Sequence, residues 1–259
     1  MNGAEGALLF AAGVGAGAFG AILGLGGGII MVPVLTQVLQ VPMDKAIAAS
    51  LLGIIATSAA SSVEYLSQKR TDLDLASRLL LSSVVGAVIG SFFGKPLLGT
   101  AEGRRVVAGL FAAVTLGVAW VMFRNRRQET DHHEREVGRV PLRAHGAVFG
   151  GGVLSTLLGI GGGAINVPTI ALAVGAPMKV AVATSSYMIG VTAASGVAIY
   201  AWAGMVDPTV AGPSALGLLI GAQLGARAAK FVSGKNLRAL FSLVLLYIAY
   251  TMARRAILG

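Results

Sequence analysis

Long stretches of this chain carry no charge, and that fixes where it can fold. Leu79 to Phe93 and Leu216 to Ala226 contain no Lys, Arg, Asp or Glu. Segments at about 6–40, 46–66, 76–99, 105–123, 145–175, 181–203, 211–232 and 237–253 are similarly apolar. A bilayer core about 30 Å thick takes about 20 such residues as helix. In hydrocarbon the backbone must satisfy its own hydrogen bonds, which leaves helices or closed barrels. Barrel strands alternate apolar and polar residues, and no such alternation appears. The prediction is an all-α polytopic membrane protein. Composition agrees: 12% of residues are charged, against roughly 25% in soluble proteins, and mean hydropathy is +0.79.

The net charge of +9 is not read as a nucleic-acid footprint. Nearly all the Lys and Arg lie at span ends or in loops, where they set orientation in a bilayer. The absence of cysteine excludes disulfides, thiolate metal sites and thiol catalysis. Met1-Asn2-Gly3-Ala4-Glu5 lacks the positive n-region of a signal peptide and reads as part of the mature chain.

Self-comparison shows that the chain is written twice. Leu23-Gly24-Leu25-Gly26-Gly27-Gly28-Ile29-Ile30-Met31-Val32-Pro33 aligns with Leu158-Gly159-Ile160-Gly161-Gly162-Gly163-Ala164-Ile165-Asn166-Val167-Pro168. The same offset matches Pro42-Met43 with Pro177-Met178, Ser50 with Ser185, Thr57 with Thr192, and Gly86 and Gly90 with Gly221 and Gly225. Only near the last span of each half does the register slip, where Leu110-Phe111 answers Leu240-Phe241. We therefore expect a first transmembrane repeat over 1–123, a polar linker over 124–144 and a second repeat over 145–259. His132 and His133 lie in that linker, where adjacent solvated histidines usually bind nothing specific.

The first segment of each half decides the topology. Residues 6–40 would make a helix of roughly 50 Å at 1.5 Å per residue, too long for one crossing, and the glycine cluster breaks it. If that segment returns to its starting side, one face collects Lys69, Arg70, Arg78, the linker arginines, Lys179, Arg227, Lys230, Lys235 and Arg238. That is a normal positive-inside bias; four full crossings per half leave almost none. The hairpin reading puts the linker in the cytoplasm and both termini outside. It also inverts the second copy, a common secondary-transporter design. Arg104 and Arg105 on the outer side fit it least.

Glycine breaks at matching positions are the strongest sequence pointer to a transport site. Gly26, Gly27, Gly28 and Gly161, Gly162, Gly163 would expose backbone N–H groups at the start of a helix, an arrangement suited to an anion. Close helix packing is the competing use for these glycines. Packing is the preferred reading for Gly86, Gly90, Gly94 and for Gly217, Gly221, Gly225, which recur four apart on one face. Ser50 and Thr57, like Ser185 and Thr192, lie two turns apart on a shared face. With Thr184 they could line a cavity, or they could bond their own backbone. Asn166 is the one amide beside a triplet. Glu64 reads as interfacial and Asp207 as a turn or helix cap. Buried acids, the usual mark of cation or proton transport, are missing. An intramembrane hydrolase would need a nucleophile with its base, and the histidines lie in or at the edge of the linker. Gly15-Ala16-Gly17-Ala18-Phe19-Gly20 fits GxGxxG without the strand and acid that motif needs.

The paired LGxGGGxxxVP elements, the two similar halves and the polar linker resemble the TauE/SafE sulfite exporter family, also called the 4-toluene sulfonate uptake permease family. Ala183-Thr184-Ser185 after Pro177 is family-like, whereas the first half has Ala48-Ala49-Ser50. The resemblance implies a transporter, and not an enzyme, for sulfite, a sulfonate or a related sulfur oxyanion or organic acid, in a bacterial inner (plasma) membrane. The expected substrate-binding residues are Gly26, Gly27, Gly28, Ser50, Thr57, Gly161, Gly162, Gly163, Asn166, Thr184 and Ser185. No cofactor, metal or nucleic acid is expected. The partners are the anion and the lipid bilayer, and a homo-oligomer is compatible with the sequence.

Overall fold

The computed structural model describes residues 3–124 and 140–233, together with 243, 245–251 and 253–254. His132, His133 and most of the expected linker fall outside the described residues. The elements are α1 (Gly3–Leu23), α2 (Gly28–Pro33), a π-helical stretch (Val34–Val38), α3 (Met43–Ser67), α4 (Leu73–Leu98) and α5 (Ala101–Arg124). The second half follows with α6 (Leu142–Leu158), α7 (Gly163–Pro168), a π-helical stretch (Thr169–Val174), α8 (Met178–Trp202), α9 (Pro208–Ala228) and a short 3-10 turn (Ala229–Phe231). Among the described residues five helices are long and apolar enough to cross a membrane: Glu5–Leu23, Met43–Ser67, Leu73–Leu98, Met178–Trp202 and Pro208–Phe231. Outward faces carry Leu81, Val85, Phe92 and Phe93 on α4 and Leu216, Ile220 and Leu224 on α9. That is where lipid would lie.

The long first segment of each half does break, and its second piece folds back. Gly27 returns to lie against Ala16 and Gly20 of α1, so α2 runs antiparallel to α1. In the second half Ile165 and Asn166 come back against Gly151 of α6. Pro33 and Pro168 close α2 and α7, and each is followed at once by π-helical backbone. A proline removes one donor from the hydrogen-bond ladder, and a π turn is one way a helix absorbs such a disturbance.

Glycine sets how close the long helices come. Gly13 and Gly17 abut Leu218, and Gly221 and Gly225 abut Val14 and Ala18. Contacts that rise together along both helices make α1 and α9 parallel. In the same way Gly86 meets Phe149, Gly90 meets Val153 and Gly94 meets Leu157, so α4 and α6 are parallel. The glycine rows read as packing surfaces are just that. Tyr65 and Tyr200, at matching places near the ends of α3 and α8, donate to Ala21 O at 2.7 Å and Thr156 O at 3.0 Å. Each bond ties the end of a long helix to the end of its own hairpin.

Matching turns repeat this correspondence. Asp72 and Asp207 each cap the helix that follows, accepting from Leu75 N and Thr209 N. Left-handed backbone occurs at Gln40 and Lys69 in one half and at Gly175 and Gly204 in the other. The halves are tied differently at their two ends. Lys45 of α3 donates to Asp207 at 2.9 Å, whereas at the opposite end the Thr184 hydroxyl accepts from Asp72 N at 3.0 Å. Glu64 sits beside Arg227 at 3.5 Å.

The Thr209 hydroxyl and the Lys45 ammonium hold the Asp207 carboxyl at about 2, below its ordinary 3.8. A depressed carboxylate stabilises the fold above its unfolded pKa and loses that contribution only as pH falls through the folded one. Asn replaces Asp equally well at a helix cap, so Asp207→Asn tests the ion pair alone. The melting-temperature difference between wild type and this variant should be the same at about pH 5 and about pH 8. A difference that shrank between those values would show that another group controls the tie.

Candidate functional site

Six glycines in left-handed backbone make the two breaks. Gly24, Gly26 and Gly27 have φ of 71°, 74° and 77°, and Gly159, Gly161 and Gly162 have 70°, 78° and 74°. Side chains disfavour this region, which is why the reversal needs glycine. Leu25 N and Ile160 N bond back to Gly20 O and Ser155 O, closing each hairpin.

The breaks lie against each other inside the fold. Ser50 donates to Gly159 O at 2.7 Å, and Ser185 donates to Gly24 O at 3.1 Å. These bonds are exchanged partners under the repeat, each crossing from one half to the other. A Cβ at Gly28 would stand 2.5 Å from Gly159 O, and one at Gly163 would strike Gly24 O. The outer glycines of each triplet therefore face the opposite half. Of the middle ones, Gly162 faces its own hairpin, meeting Ser155 and Gly151 O, whereas Gly27 meets both Ala16 O of its own hairpin and Leu218 of α9. Between Gly26 and Gly161 sits the fully buried side chain of Ile54, with Ile189 also against Gly26.

The remaining expected residues divide. Thr57 and Thr192 bond the carbonyls of Gly53 and Met188, four residues back. That is the backbone use weighed against a cavity-lining one. Thr184 serves the α3–α4 turn, as described. Asn166 is fully buried, and neither its Oδ1 nor its Nδ2 has a partner; Ser155 Oγ is buried and unpartnered too. Ile54, Ile189, Tyr65, Tyr200 and Ser155 were not singled out from the sequence. The first four form pairs under the repeat offset, so the signal for them was the offset itself.

No Asp, Glu, Lys or Arg is buried among the described residues, and no cluster of His, Cys, Asp and Glu suited to a metal occurs among them. The Ser82 hydroxyl lies 3.1 Å from His145 Nδ1 near the linker end of α6, so a Ser–His contact does exist, half-buried and well away from the glycine breaks. A surface cleft of about 360 Å³ lies where the loop before α3 meets the start of α5, lined by Gln40, Asp44, Arg104 and Arg105 among others. The two arginines that fit the charge pattern least thus share one cleft at the start of α5.

Comparison with known proteins gives a consistent picture. The sequence model of the family described as "Sulfite exporter TauE/SafE" matches residues 9–252. The chain is 30% identical over 261 residues to the probable membrane transporter protein YunE of Bacillus subtilis, covering 93% of this chain and 94% of that one. It is 26% identical over 257 residues to a probable membrane transporter protein of Methanocaldococcus jannaschii, covering 92% and 91%. A probable membrane transporter protein of Xylella fastidiosa is 27% identical over 232 residues, covering 88% and 87%. No solved structure matches.

Proposed function

The chain belongs to the TauE/SafE sulfite exporter family, and from that premise we propose that it carries a small anion, sulfite, an organosulfonate or a related sulfur oxyanion, by alternating access. The observation that carries this reading is the meeting of two glycine breaks in a core that, among the described residues, has no buried charged side chain. Two broken segments at matching positions are the usual form of a midplane transport site. Backbone amides at the start of α2 and α7 lack carbonyl partners within their own helices and offer partial positive charge to an anion.

Helix directions support inverted repeats. Tight turns over 203–207 make α9 antiparallel to α8, and the Tyr200 bond places the ends of α8 and α6 together. Because α1 is parallel to α9, it runs opposite to α6, its own counterpart. A half-turn in the membrane plane then exchanges the halves, so the same motion can open either face. The face carrying Lys69, Arg70, Arg78, Arg143, Lys179, Arg227 and Lys230 is assigned to the cytoplasm, with the linker, by the positive-inside rule. In this reading Gly26, Gly27, Gly28, Gly161, Gly162 and Gly163 frame the site with Asn166. Ser50 and Ser185 hold the two breaks together, and Thr57 and Thr184 stand behind them.

The test is uptake into proteoliposomes from a panel of sulfite, methanesulfonate, sulfate and a carboxylate. Saturable uptake of at least one sulfur oxyanion, with accelerated exchange against internal anion, is the expected result. Flux that never saturates would point to a channel, and no flux of any anion would sink the reading.

A further inference from the structure

We propose that the α6–α7 hairpin holds a one-sided oxyanion subsite, with Asn166 and Ser155 as its binding side chains, and that this subsite accepts monoanions. The proposal rests on the transport reading above and gives it a location and a charge rule.

Buried polar groups in proteins are almost always hydrogen-bonded. Here the two polar atoms of Asn166 and the hydroxyl of Ser155 are buried without partners, and each residue adjoins a glycine of the same hairpin. Asn166 Oδ1 is 3.3 Å from the point where Gly151 would carry a Cβ. Ser155, one turn further along α6, has its Oγ 3.5 Å from the corresponding point on Gly162. Gly151 and Gly162 thus leave room for polar atoms that nothing in the protein satisfies.

The first half has no such niche. Its residues at these places are Ala16, Gly20, Gly27 and Met31. Gly27 lies directly against Gly20, and Met31 is fully buried in the apolar core. The fold therefore accommodates a closed apolar hairpin at this position. The polar, more open version in the second half is not required by the architecture.

The chemistry follows from the donor set. Asn166 Nδ2 offers two N–H donors and Ser155 one O–H, enough to hold the oxygens of a sulfonate or sulfite group. Asn166 Oδ1 can accept the proton of a ligand that carries an O–H, as hydrogen sulfite does. Among the described residues no buried cation balances the ligand's charge. The penalty for leaving water rises with the square of the charge, and neutral donors offset it for one charge far better than for two. A sulfonate or hydrogen sulfite fits; sulfate and fully deprotonated sulfite do not.

The variants Asn166→Met, which imports the first half's residue, and Ser155→Ala test this in proteoliposomes and in detergent with sodium methanesulfonate as the probe. Either should raise the KM for methanesulfonate by about tenfold or more, the loss expected when a site loses a polar partner. Both should lose the ligand-induced rise in melting temperature without melting lower when ligand is absent. Sulfite uptake should fall as pH rises past neutrality while methanesulfonate uptake stays level, and sulfate should not be carried. Should Asn166→Met fail to fold, Ser155→Ala alone decides. Wild-type KM and wild-type thermal shift in the variants would overturn the subsite, and efficient sulfate transport would overturn the charge rule. If wild type binds methanesulfonate through these residues but moves no anion, the subsite stands and the transport reading falls. If wild type shows neither flux nor thermal shift, both fall.

Discussion

Valine at Gly27 is expected to abolish anion uptake and to destabilise the protein more than valine at Gly163, which in turn does more damage than valine at Gly162. The three positions separate two physical effects. At Gly27 the backbone is left-handed, with φ of 77°, and a Cβ would stand 2.6 Å from Leu218 Cδ2 and 2.9 Å from Ala16 O. At Gly163 the backbone is ordinary, but the Cβ would strike Gly24 O and lie 2.7 Å from Leu25 Cα in the other half. At Gly162 the backbone is left-handed, with φ of 74°, and the nearest atom is 3.4 Å away. A side chain forced into left-handed backbone costs about 1–3 kcal/mol, and overpacking typically costs about 1–3 kcal/mol. Gly27→Val carries both terms and the other two variants carry one each. The clash at Gly163 ranks second because neither colliding atom belongs to a side chain that can swing away. Gly15→Ala and Gly150→Ala meet nothing within 4 Å and should change stability by no more than about 0.5 kcal/mol. Melting temperatures and proteoliposome uptake of the five variants check the order. A Gly162→Val protein less stable than Gly163→Val would show that strain outweighs contact here.

Ile54→Ala should be the most damaging large-to-small change in the core, and worse than the equivalent Ile189→Ala. Ile54 Cγ2 lies 3.0 Å from the Cβ position of Gly26, and its Cδ1 lies 2.9 Å from that of Gly161. One side chain thus supplies nearest atoms at both breaks, whereas Ile189 supplies the nearest atom at Gly26. Truncating a buried isoleucine to alanine costs about 2–5 kcal/mol, with the larger values where the cavity cannot collapse. Gly26 and Gly161 have no side chains to fill the gap. Apolar constrictions also keep pathways dry, so the same variant should add a non-saturable component to methanesulfonate flux. Equal loss of stability in the two variants, or an Ile54→Ala protein with purely saturable flux, would show that Ile54 is ordinary core.

Much of this architecture was legible from the residues. Charge-free runs gave the membrane, the offset between Gly26-Gly27-Gly28 and Gly161-Gly162-Gly163 gave the duplication, and length gave the hairpin. What could not be read was the direction in which each hydroxyl points. Ser50 and Thr57 share a helix face, yet Ser50 reaches across to Gly159 O while Thr57 bonds Gly53 O on its own helix. A period of seven fixes a face and says nothing about whether a carbonyl on another element lies opposite it. Ile54 escaped notice because one apolar residue in an apolar helix carries no local mark. Ser155 escaped because its counterpart is Gly20, so matching residues under the offset could not flag it. Mismatches between the halves turn out to be as informative as matches.

The unlike ties at the two ends have a consequence of their own. If an exchange of halves converts one end state of the transport cycle into the other, two identical copies would make those states equal in free energy. The protein would rest facing both compartments equally. Lys45 pairs with Asp207 at one end, but the residue matching Lys45 in the second half is Val180, and the other end is joined by the neutral Thr184 bond. In such a cycle the resting bias would be set by unlike positions of this kind.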